Sequence, residues 1–381
     1  MESDIRDDNK LPAERSGHVA TQLNGKMIVW GGFGALSDES DRISEKYIAS
    51  NILWIYNIEA QTWVQHFVDC PMTGQSGSGC FSFGGKLFVW GGYPHHSKQM
   101  FVLDPAVGIW QDAQVEGDPP EYRDKFVSWL YKDRYVIFGG FGPAPENATR
   151  ESWVADPSSY HHNSVIRGWN NQLYEYNIRE NRWSKPQTRG PVPCPRASHA
   201  GAIVENRGYV FGGRFQERRR NDIHFVDLDT YSWSDRLPVH GPQPEGRSWH
   251  SLTAVGSHHL LLCGGFNTAC KPLDDAWMFD TNEFLWKRLE WDLPSPRLWH
   301  TAVQGTHLGE VVIFGGSTNN ILSLEEPTRH TNSVLHIFVT PKPLFRICCD
   351  MIRENLERLR PQINQLPSYL QKKFDQNPMP R

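Results

Sequence analysis

Four arginines follow a pair of glycines near the middle of the chain, in the stretch Y-V-F-G-G-R-F-Q-E-R-R-R-N-D over residues 209–222. Arg214 comes directly after Gly213, and Arg219 lies five residues further on. A guanidinium presents paired N–H donors that match a carboxylate, and burial strengthens such a pair. Two guanidiniums at the end of one strand therefore indicate a site for a small planar anion.

Polar and aromatic side chains from later in the chain are candidates to complete this site. Ser248 and Trp249 lie in the sequence R-S-W-H, and Trp299 lies in the matching sequence R-L-W-H. If these segments occupy equivalent positions in neighbouring repeats, a hydroxyl and two aromatic walls would surround the anion. The two tryptophans could equally be ordinary packing between repeats.

The arginines also have less specific interpretations. Arg214 could form a surface ion pair with Asp222 or Glu217, which lie in the same loop. For Arg218 and Arg220 the solvated or paired interpretation is favoured over ligand binding.

A repeat sets the positions of these residues. Short apolar runs rich in β-branched and aromatic residues end in a glycine pair six times, with 48 to 73 residues between the first glycines of successive pairs. Such runs indicate buried strands, and paired glycines there allow positive φ or close backbone approach. The period is that of four-stranded propeller blades. The pairs are Gly31-Gly32, Gly91-Gly92, Gly139-Gly140, Gly212-Gly213, Gly264-Gly265 and Gly315-Gly316.

Other residues recur once in most units. A second strand follows each glycine pair, and a tryptophan marks a further strand in the first five units only. An Arg and a His often open the strand before the pair. Because these histidines recur from unit to unit, they are better explained as hydrogen-bonding residues within each repeat than as metal ligands. These tryptophans and histidines are Trp63, Trp110, Trp183, Trp233, Trp286, His18, His199, His250 and His300.

Beyond Pro343 the sequence pattern changes from repeated strands to helical spacing. Apolar residues recur at helical spacing from Leu344 to Leu359, and a second short amphipathic stretch covers Leu366–Phe374. Exposed apolar stripes on appended helices favour a partner groove, although the helix could instead pack on the flank of the propeller. We divide the chain into an N-terminal segment 1–13, a propeller 14–340 and a helical tail 341–381.

The composition sets the protein class. The 381 residues include 39 Lys plus Arg and 43 Asp plus Glu, a net charge of −4, which does not suggest broad nucleic-acid or membrane binding. The N-terminus is charged and the sequence contains no long apolar run, so we expect no secretion signal and no membrane span. Seven cysteines without C-x-x-C spacing fit reduced thiols, so we expect a nuclear and cytoplasmic protein.

The repeats resemble kelch repeats, which implies an all-β, six-bladed propeller whose last blade lacks an obvious fourth strand. The tail resembles a BC box followed by a cullin-2 box. That resemblance implies docking on elongin B/C and on cullin-2 with its RING subunit. The matching residues are Pro343, Leu344, Cys348 and Ile352 for the BC box, and Leu366, Pro367 and Leu370 for the cullin-2 box.

The whole chain resembles the kelch domain-containing protein 1 and 2 family, substrate receptors that read C-terminal diglycine degrons for cullin-2 ubiquitin ligases. The resemblance implies that Arg214, Arg219 and Ser248 hold the degron carboxylate. Phe33 and Phe141 replace tyrosines of the family, so any hydrogen bonds from those hydroxyls would be missing. The pocket walls it implies are Phe33, Lys125, Phe141, Trp169, Trp249 and Trp299.

The sequence fits three classes of function to different degrees. The degron receptor is a non-catalytic adaptor that needs no cofactor or metal. An enzyme on a propeller, such as a copper oxidase or hydrolase, lacks the expected Cys near a Tyr/His cluster or a pair of convergent carboxylates. A cytoskeletal or chromatin-associated kelch scaffold would explain the repeats but neither the arginine loop nor the tail.

Overall fold

The computed structural model describes residues 11–37, 43–161, 165–371 and 374. The predicted N-terminal segment therefore lies outside the described residues as far as residue 10, as do positions 372–373 and 375–381 of the tail. Six antiparallel sheets follow one another along the chain, one for each glycine pair. This is the all-β propeller that the repeat predicts.

The first three blades have four antiparallel strands each, and the third gains a short parallel strand, Glu116–Gly117, at its edge. Blade one contains Val19–Leu23, Lys26–Trp30, Ile52–Asn57 and Thr62–Phe67. Blade two contains Gly79–Phe83, Lys86–Trp90, Met100–Asp104 and Ile109–Asp112. Blade three contains Val127–Tyr131, Arg134–Phe138, Leu173–Asn177 and Arg182–Ser184.

Blade four also has four strands. Blade five has four strands and, paired with the end of its second strand, the short strand Arg247–Ser248, whereas blade six has three strands among the described residues. Blade four contains Ala200–Val204, Arg207–Phe211, Ile223–Asp227 and Ser232–Trp233. Blade five contains Ser251–Val255, His259–Asn267, Pro272–Asp280 and Leu285–Asp292. Blade six contains Thr301–Gln304, Glu310–Phe314 and Val334–Phe338.

Smaller elements sit beyond the glycine pairs, at one rim. They are the hairpins Phe33–Ser37 with Ile43–Tyr47 and Arg214–Phe215 with Arg218–Arg219, the strand Arg247–Ser248, the three-stranded sheet Phe141–Pro143, Trp153–Ala155 and Arg167–Asn170, and the 3-10 helix Pro157–His161.

Every glycine pair ties its blade to the next one. The first glycine has φ of 60–72° and the second 93–108°, in the region that favours glycine. The backbone N–H of the second glycine donates to the residue that opens the following blade, with N···O distances of 2.7–2.9 Å in all six cases. The last of these bonds runs from Gly316 to Arg15 and joins blade six, of which three strands are described, to blade one.

The recurring arginines and tryptophans are structural. Arg196, for example, is fully buried, donates to the carbonyl of Gly212 at 3.0 Å and pairs with Asp222 at 2.8 Å. Arg15, Arg123, Arg247 and Arg297 donate in the same way to the first glycine of their own blades. The fourth-strand tryptophans pack in the blade cores, as their recurrence predicts.

The recurring histidines connect neighbouring blades rather than residues of their own repeat. His18 contacts Thr301 of blade six at 2.7 Å, and His300 contacts Ser251 of blade five at 2.9 Å. His199 lies 3.1 Å from the carbonyl of Phe138 in blade three. Burial lowers the pKa of His199 and of His300 to about 3, so both rings are neutral in the folded protein at neutral pH.

The buried histidines predict acid sensitivity. Because their pKa is lower in the folded protein than the usual value of about 6.5, the unfolded chain binds more protons, and stability falls as pH drops below that value. We expect a loss of about 1 kcal/mol for each such histidine between pH 7.5 and 5.5. Urea unfolding at both pH values should show a smaller pH effect in His199→Gln than in the wild type. An unchanged pH effect would contradict the prediction, and exposed His240→Gln is the control.

The tail is helical but not as one helix. The predicted continuous stretch from Leu344 is interrupted at Asn355, which has φ −118° and ψ 25°, outside helical geometry. The helices are Leu344–Glu354, Leu356–Ile363 and Ser368–Gln371. Among the described residues, no helix is long and apolar enough to cross a membrane.

Candidate functional site

A closed ring of backbone hydrogen bonds surrounds the propeller axis at the rim that carries the glycine pairs. One residue from the opening of each blade donates its N–H to the carbonyl of the equivalent residue in the preceding blade, over 2.7–2.9 Å. In each blade this residue lies two positions after the opening Arg, or after Gln75 in blade two. The six residues are Gly17, Gly77, Lys125, Ser198, Trp249 and Trp299.

Four of these ring residues are not glycine but still have left-handed backbones. Their φ values are 55–57°, for Lys125, Ser198, Trp249 and Trp299. Such a conformation costs about 1–2 kcal/mol in a residue with a Cβ atom, and it concentrates at functional sites. The side chains of Lys125, Ser198 and Trp249 line a cavity at this rim. The prediction that equivalent positions converge on the central opening therefore agrees with the geometry.

The two arginines of the predicted site are placed side by side by a short hairpin. Arg214 and Arg219 are directly opposite each other in its register, so both side chains leave the same face. Arg218 pairs with Phe215, faces the other way and is exposed. Like charges directly opposite each other destabilise an antiparallel pair, so this hairpin holds two positive charges together at a cost.

Arg219 is fixed by the neighbouring blade. Its Nε donates to the Oγ atom of buried Ser248 at 2.9 Å, and its guanidinium lies 4.6 Å from the ring centroid of Phe266. Because the serine oxygen accepts this bond, its own O–H stays available as a donor. Burial lowers the pKa of Arg219; contact with Cys270 opposes this shift, and repulsion from Arg214 adds to it.

No carboxylate among the described residues neutralises this arginine pair closely. Asp222, the first candidate partner for Arg214, is taken by Arg196 at 2.8 Å and by His224 at 3.1 Å. Glu217 lies 4.0 Å from Arg214, but its side chain is 93% exposed, and such pairs contribute little. The interpretation of Arg214 as one half of a surface ion pair is therefore weak.

The cavity next to the arginines has a volume of about 450 Å³. Five of the predicted site residues line it: Lys125, Phe141, Trp169, Arg214 and Trp249. The other four predicted site residues are not among those that line the cavity. Trp299 stacks on Trp249 with ring centroids 5.5 Å apart, while Arg219 lies opposite Arg214 in the hairpin and donates to Ser248. Phe33 lies farther round the rim, against Tyr47 and His330.

A buried carboxylate that pairs with two residues of the cavity wall was missed from the sequence. Asp124 is fully buried and accepts from Lys125 at 2.9 Å and Arg167 at 2.7 Å. Burial alone would raise the pKa of Asp124, but the two cations hold it below its usual value. Asp156 also lines the cavity, so this wall has two carboxylates for its two cations, Lys125 and Arg167. Arg167 comes from the long loop after Gly140, where no repeat predicts its position.

The two phenylalanines in place of tyrosines have different surroundings. Phe33 is directly opposite Tyr47 in its hairpin, with ring centroids 5.2 Å apart, so a phenol still lies close to that position. Phe141 contacts Trp169, and the guanidinium of Arg167 lies 4.8 Å from its ring centroid. Tyr93 and Tyr122, also missed from the sequence, line the cavity as well.

The tail presents a second candidate surface, away from the cavity. The first helix exposes Leu344, Ile347, Cys348 and Met351, which we call the BC-box face. Of the predicted docking residues, Leu344 is 75% exposed, while Ile352 is half-buried. Pro343 precedes the helix. Pro367 is exposed, whereas Leu366 and Leu370 are half-buried.

The opposite face of the same helix packs on the propeller through buried charges. The Arg346 side chain is 1% exposed, donates to the carbonyl of Ile58 at 3.2 Å, and lies 3.5 Å from buried Glu310. Glu310 also accepts from His336 at 2.8 Å. Arg353 donates to the carbonyl of Glu59. Flank packing and an exposed stripe, which the sequence presented as alternatives, are therefore two faces of one helix.

We expect Arg346→Met to loosen the tail at a cost of about 1–3 kcal/mol, the range for leaving a buried charged partner without one hydrogen bond. Glu310 keeps His336, so the effect should stay within that range. Hydrogen exchange of residues 344–363 should accelerate, whereas exposed Arg358→Met should change nothing. Wild-type protection in Arg346→Met would show that the buried pair does not hold the helix.

Comparison with known proteins agrees with this architecture. The KLHDC2/KLHL20/DRC7 Kelch-repeats domain matches residues 17–168 and 164–316. Kelch domain-containing protein 2 of Bos taurus is 39% identical over 372 residues, which cover 94% of this chain and 89% of that protein. Kelch domain-containing protein 1 of Homo sapiens is 35% identical over 368 residues, covering 94% and 88%. Host cell factor 2 of Homo sapiens is 29% identical over 78% of this chain and 39% of that protein.

Six blades joined at glycine pairs around a rim cavity define a kelch-repeat propeller. Within that class, the chain belongs to the family of Kelch domain-containing proteins 1 and 2, because the similarity extends over nearly the whole of both relatives.

Proposed function

We propose that this protein is the substrate-recognition subunit of a cullin-2 RING ubiquitin ligase and that its cavity binds proteins ending in Gly-Gly. In this role it is a non-catalytic adaptor, and ubiquitin transfer is carried out by its partners. Elongin B/C and cullin-2 dock on the tail, and the complex acts in the nucleus and cytoplasm.

The arginine hairpin carries the proposal. Arg214 and Arg219 stand directly opposite each other, and no described carboxylate lies between them. An anion that enters this position removes the repulsion and gains charge-assisted hydrogen bonds from both guanidiniums. A peptide's C-terminal carboxylate suits the site, because it is planar and can accept from Arg219 and from the free hydroxyl of Ser248 together.

Selection for glycine at the peptide end follows from the walls. Trp249 and Trp169 line the cavity beside Arg214, and the guanidinium of Arg214 lies 5.6 Å from the ring centroid of Trp169. These large rings leave little width next to the carboxylate, so residues without a side chain fit best there. Residues upstream of the glycines would extend toward Tyr93 and Tyr122, where the cavity also bears Arg167.

The direct test is a titration of the full chain with a labelled peptide ending in Gly-Gly-COOH and with the same peptide as its C-terminal amide. The acid should bind and the amide should lose most of the affinity, since the amide cannot pair with two guanidiniums. Equal, weak binding of both would refute degron capture and leave a kelch interaction scaffold. Co-purification of elongin B/C then tests the docking half separately.

A further inference from the structure

The two outer turns of blade five bring two imidazoles and a carboxylate together, far from the cavity. His258 lies in the turn between the first two strands of blade five, and His259 begins the second strand. Asp280 is the last residue of the third strand and lies opposite His259. One ligand atom from each of the three lies within 4.8 Å of the others. No other group of three His, Cys, Asp or Glu side chains converges in this way within the described part of the chain.

The carboxylate is already oriented for this cluster. Asp280 Oδ1 accepts from the backbone N–H groups of Asn282 and Glu283 at 2.8 and 3.0 Å. These bonds leave Oδ2 facing His259, whose Nε2 atom is 3.5 Å away. Hydrogen bonds that fix one carboxylate oxygen and leave the other free are typical support for metal ligands.

The two imidazoles are held close by the same turns. Their ring centroids are 4.2 Å apart, and the Nδ1 atom of His258 lies 2.8 Å from the hydroxyl oxygen of Ser257. Thr281 donates from both its N–H and its hydroxyl to the carbonyl of His258, which joins the two turns. Neither ring therefore has to move far to turn a nitrogen toward Asp280.

The spacing suits a transition-metal ion better than an ion pair. Ligand atoms at about 2.0–2.2 Å from a tetrahedral Zn²⁺ are about 3.3–3.6 Å apart, which the distance of 3.5 Å between His259 and Asp280 already matches. That distance is long for a hydrogen bond. Two imidazoles and a carboxylate are a ligand set that Zn²⁺ accepts, with water in the remaining position.

We propose that His258, His259 and Asp280 form a surface site for Zn²⁺ or a similar divalent transition metal. These residues are not among the four repeat histidines, for which no metal role is expected. His259 lies about 15–20 Å from the Gly264-Gly265 end of the same strand, since a strand rises about 3.3 Å per residue. The metal would join the two outer turns of blade five, and peptide binding at the cavity would not depend on it.

The test uses the full chain without a polyhistidine tag. Calorimetric titration with ZnCl₂ should give one site per chain, and Co²⁺ should give visible absorption without the thiolate charge-transfer band that cysteine ligands would produce. Asp280→Asn keeps the oxygen that holds the turn but removes the charge, and should weaken Zn²⁺ binding at least about tenfold. His259→Ala should abolish the rise in Tm that Zn²⁺ causes in the wild type.

Exposed His240→Ala is the matched control and should bind Zn²⁺ as the wild type does. No binding by the wild type, or equal binding by Asp280→Asn and the wild type, would overturn the proposal. A thiolate band with Co²⁺ would do the same, because it would assign the metal to cysteines instead.

Discussion

Arg219→Ala is expected to weaken binding of a Gly-Gly-COOH peptide by about 2–5 kcal/mol, the cost of truncating one partner of a buried charged pair. The affinity for the matching C-terminal amide should barely change, because the amide makes no ion pair that the substitution could remove. Arg219 should matter this much because Ser248 and Phe266 hold its guanidinium in place before any ligand arrives. Fluorescence polarisation with both peptides measures the difference.

The same substitution should not destabilise the folded protein. Arg219 is placed opposite Arg214, so removing one charge relieves repulsion in the unliganded hairpin, and this relief offsets the lost contacts with Ser248 and Phe266. Tm should stay the same or rise slightly while peptide affinity falls, which separates loss of a binding group from loss of structure. A parallel fall in Tm and affinity would mean that Arg219 supports the fold instead.

Arg218→Ala is the matched control, since it removes the same charge from the same hairpin on the opposite, exposed face. It should cost less than about 1 kcal/mol, because an exposed charge acts on a bound anion only through solvent. If Arg218→Ala and Arg219→Ala weaken binding equally, general positive charge and not a built site would explain peptide attraction.

The architecture was predictable because the sequence repeats it. A glycine pair at the end of each inner strand requires positive φ, and six such pairs with a spaced tryptophan leave few alternatives to six blades. The hydrogen-bonded ring could also be predicted from the sequence, since each of its residues lies two positions after the opening Arg or Gln75. Aligning the blades on that residue would have added Ser198 to the predicted rim.

Contacts between separate loops were not predictable in the same way. Arg167 reaches Asp124 from a loop that no other blade shares, so no periodicity indicates its position. The opposite placement of Arg214 and Arg219 depends on a hairpin register that R-F-Q-E-R-R does not specify uniquely. Arg346 is buried against Glu310, which lies 36 positions earlier in the chain. The helical pattern of the tail indicates which residues are apolar but not which propeller residues they pack against.

Leu344→Asp is expected to abolish capture of elongin B/C while leaving peptide binding intact. Leu344 is 75% exposed at the start of the BC-box face, where an apolar partner groove would bury it. A carboxylate there would have to be desolvated without a partner, which costs far more than the lost contact. Because the opposite face of the helix is anchored by Arg346, the substitution should not detach the tail from the propeller.

Co-expression of the full chain with elongin B/C, followed by size-exclusion chromatography, measures this loss. Leu324→Asp is the matched control, since it introduces the same charge at a fully exposed leucine on a propeller loop and should still co-elute with elongin. If Leu344→Asp also co-elutes, the BC-box face is not the docking surface, even if the cavity binds its peptide. If only Leu344→Asp loses elongin B/C and its affinity for the Gly-Gly-COOH peptide is unchanged, elongin binding and peptide binding are independent. This independence is expected because the cavity and the tail lie on different elements and share no side chain.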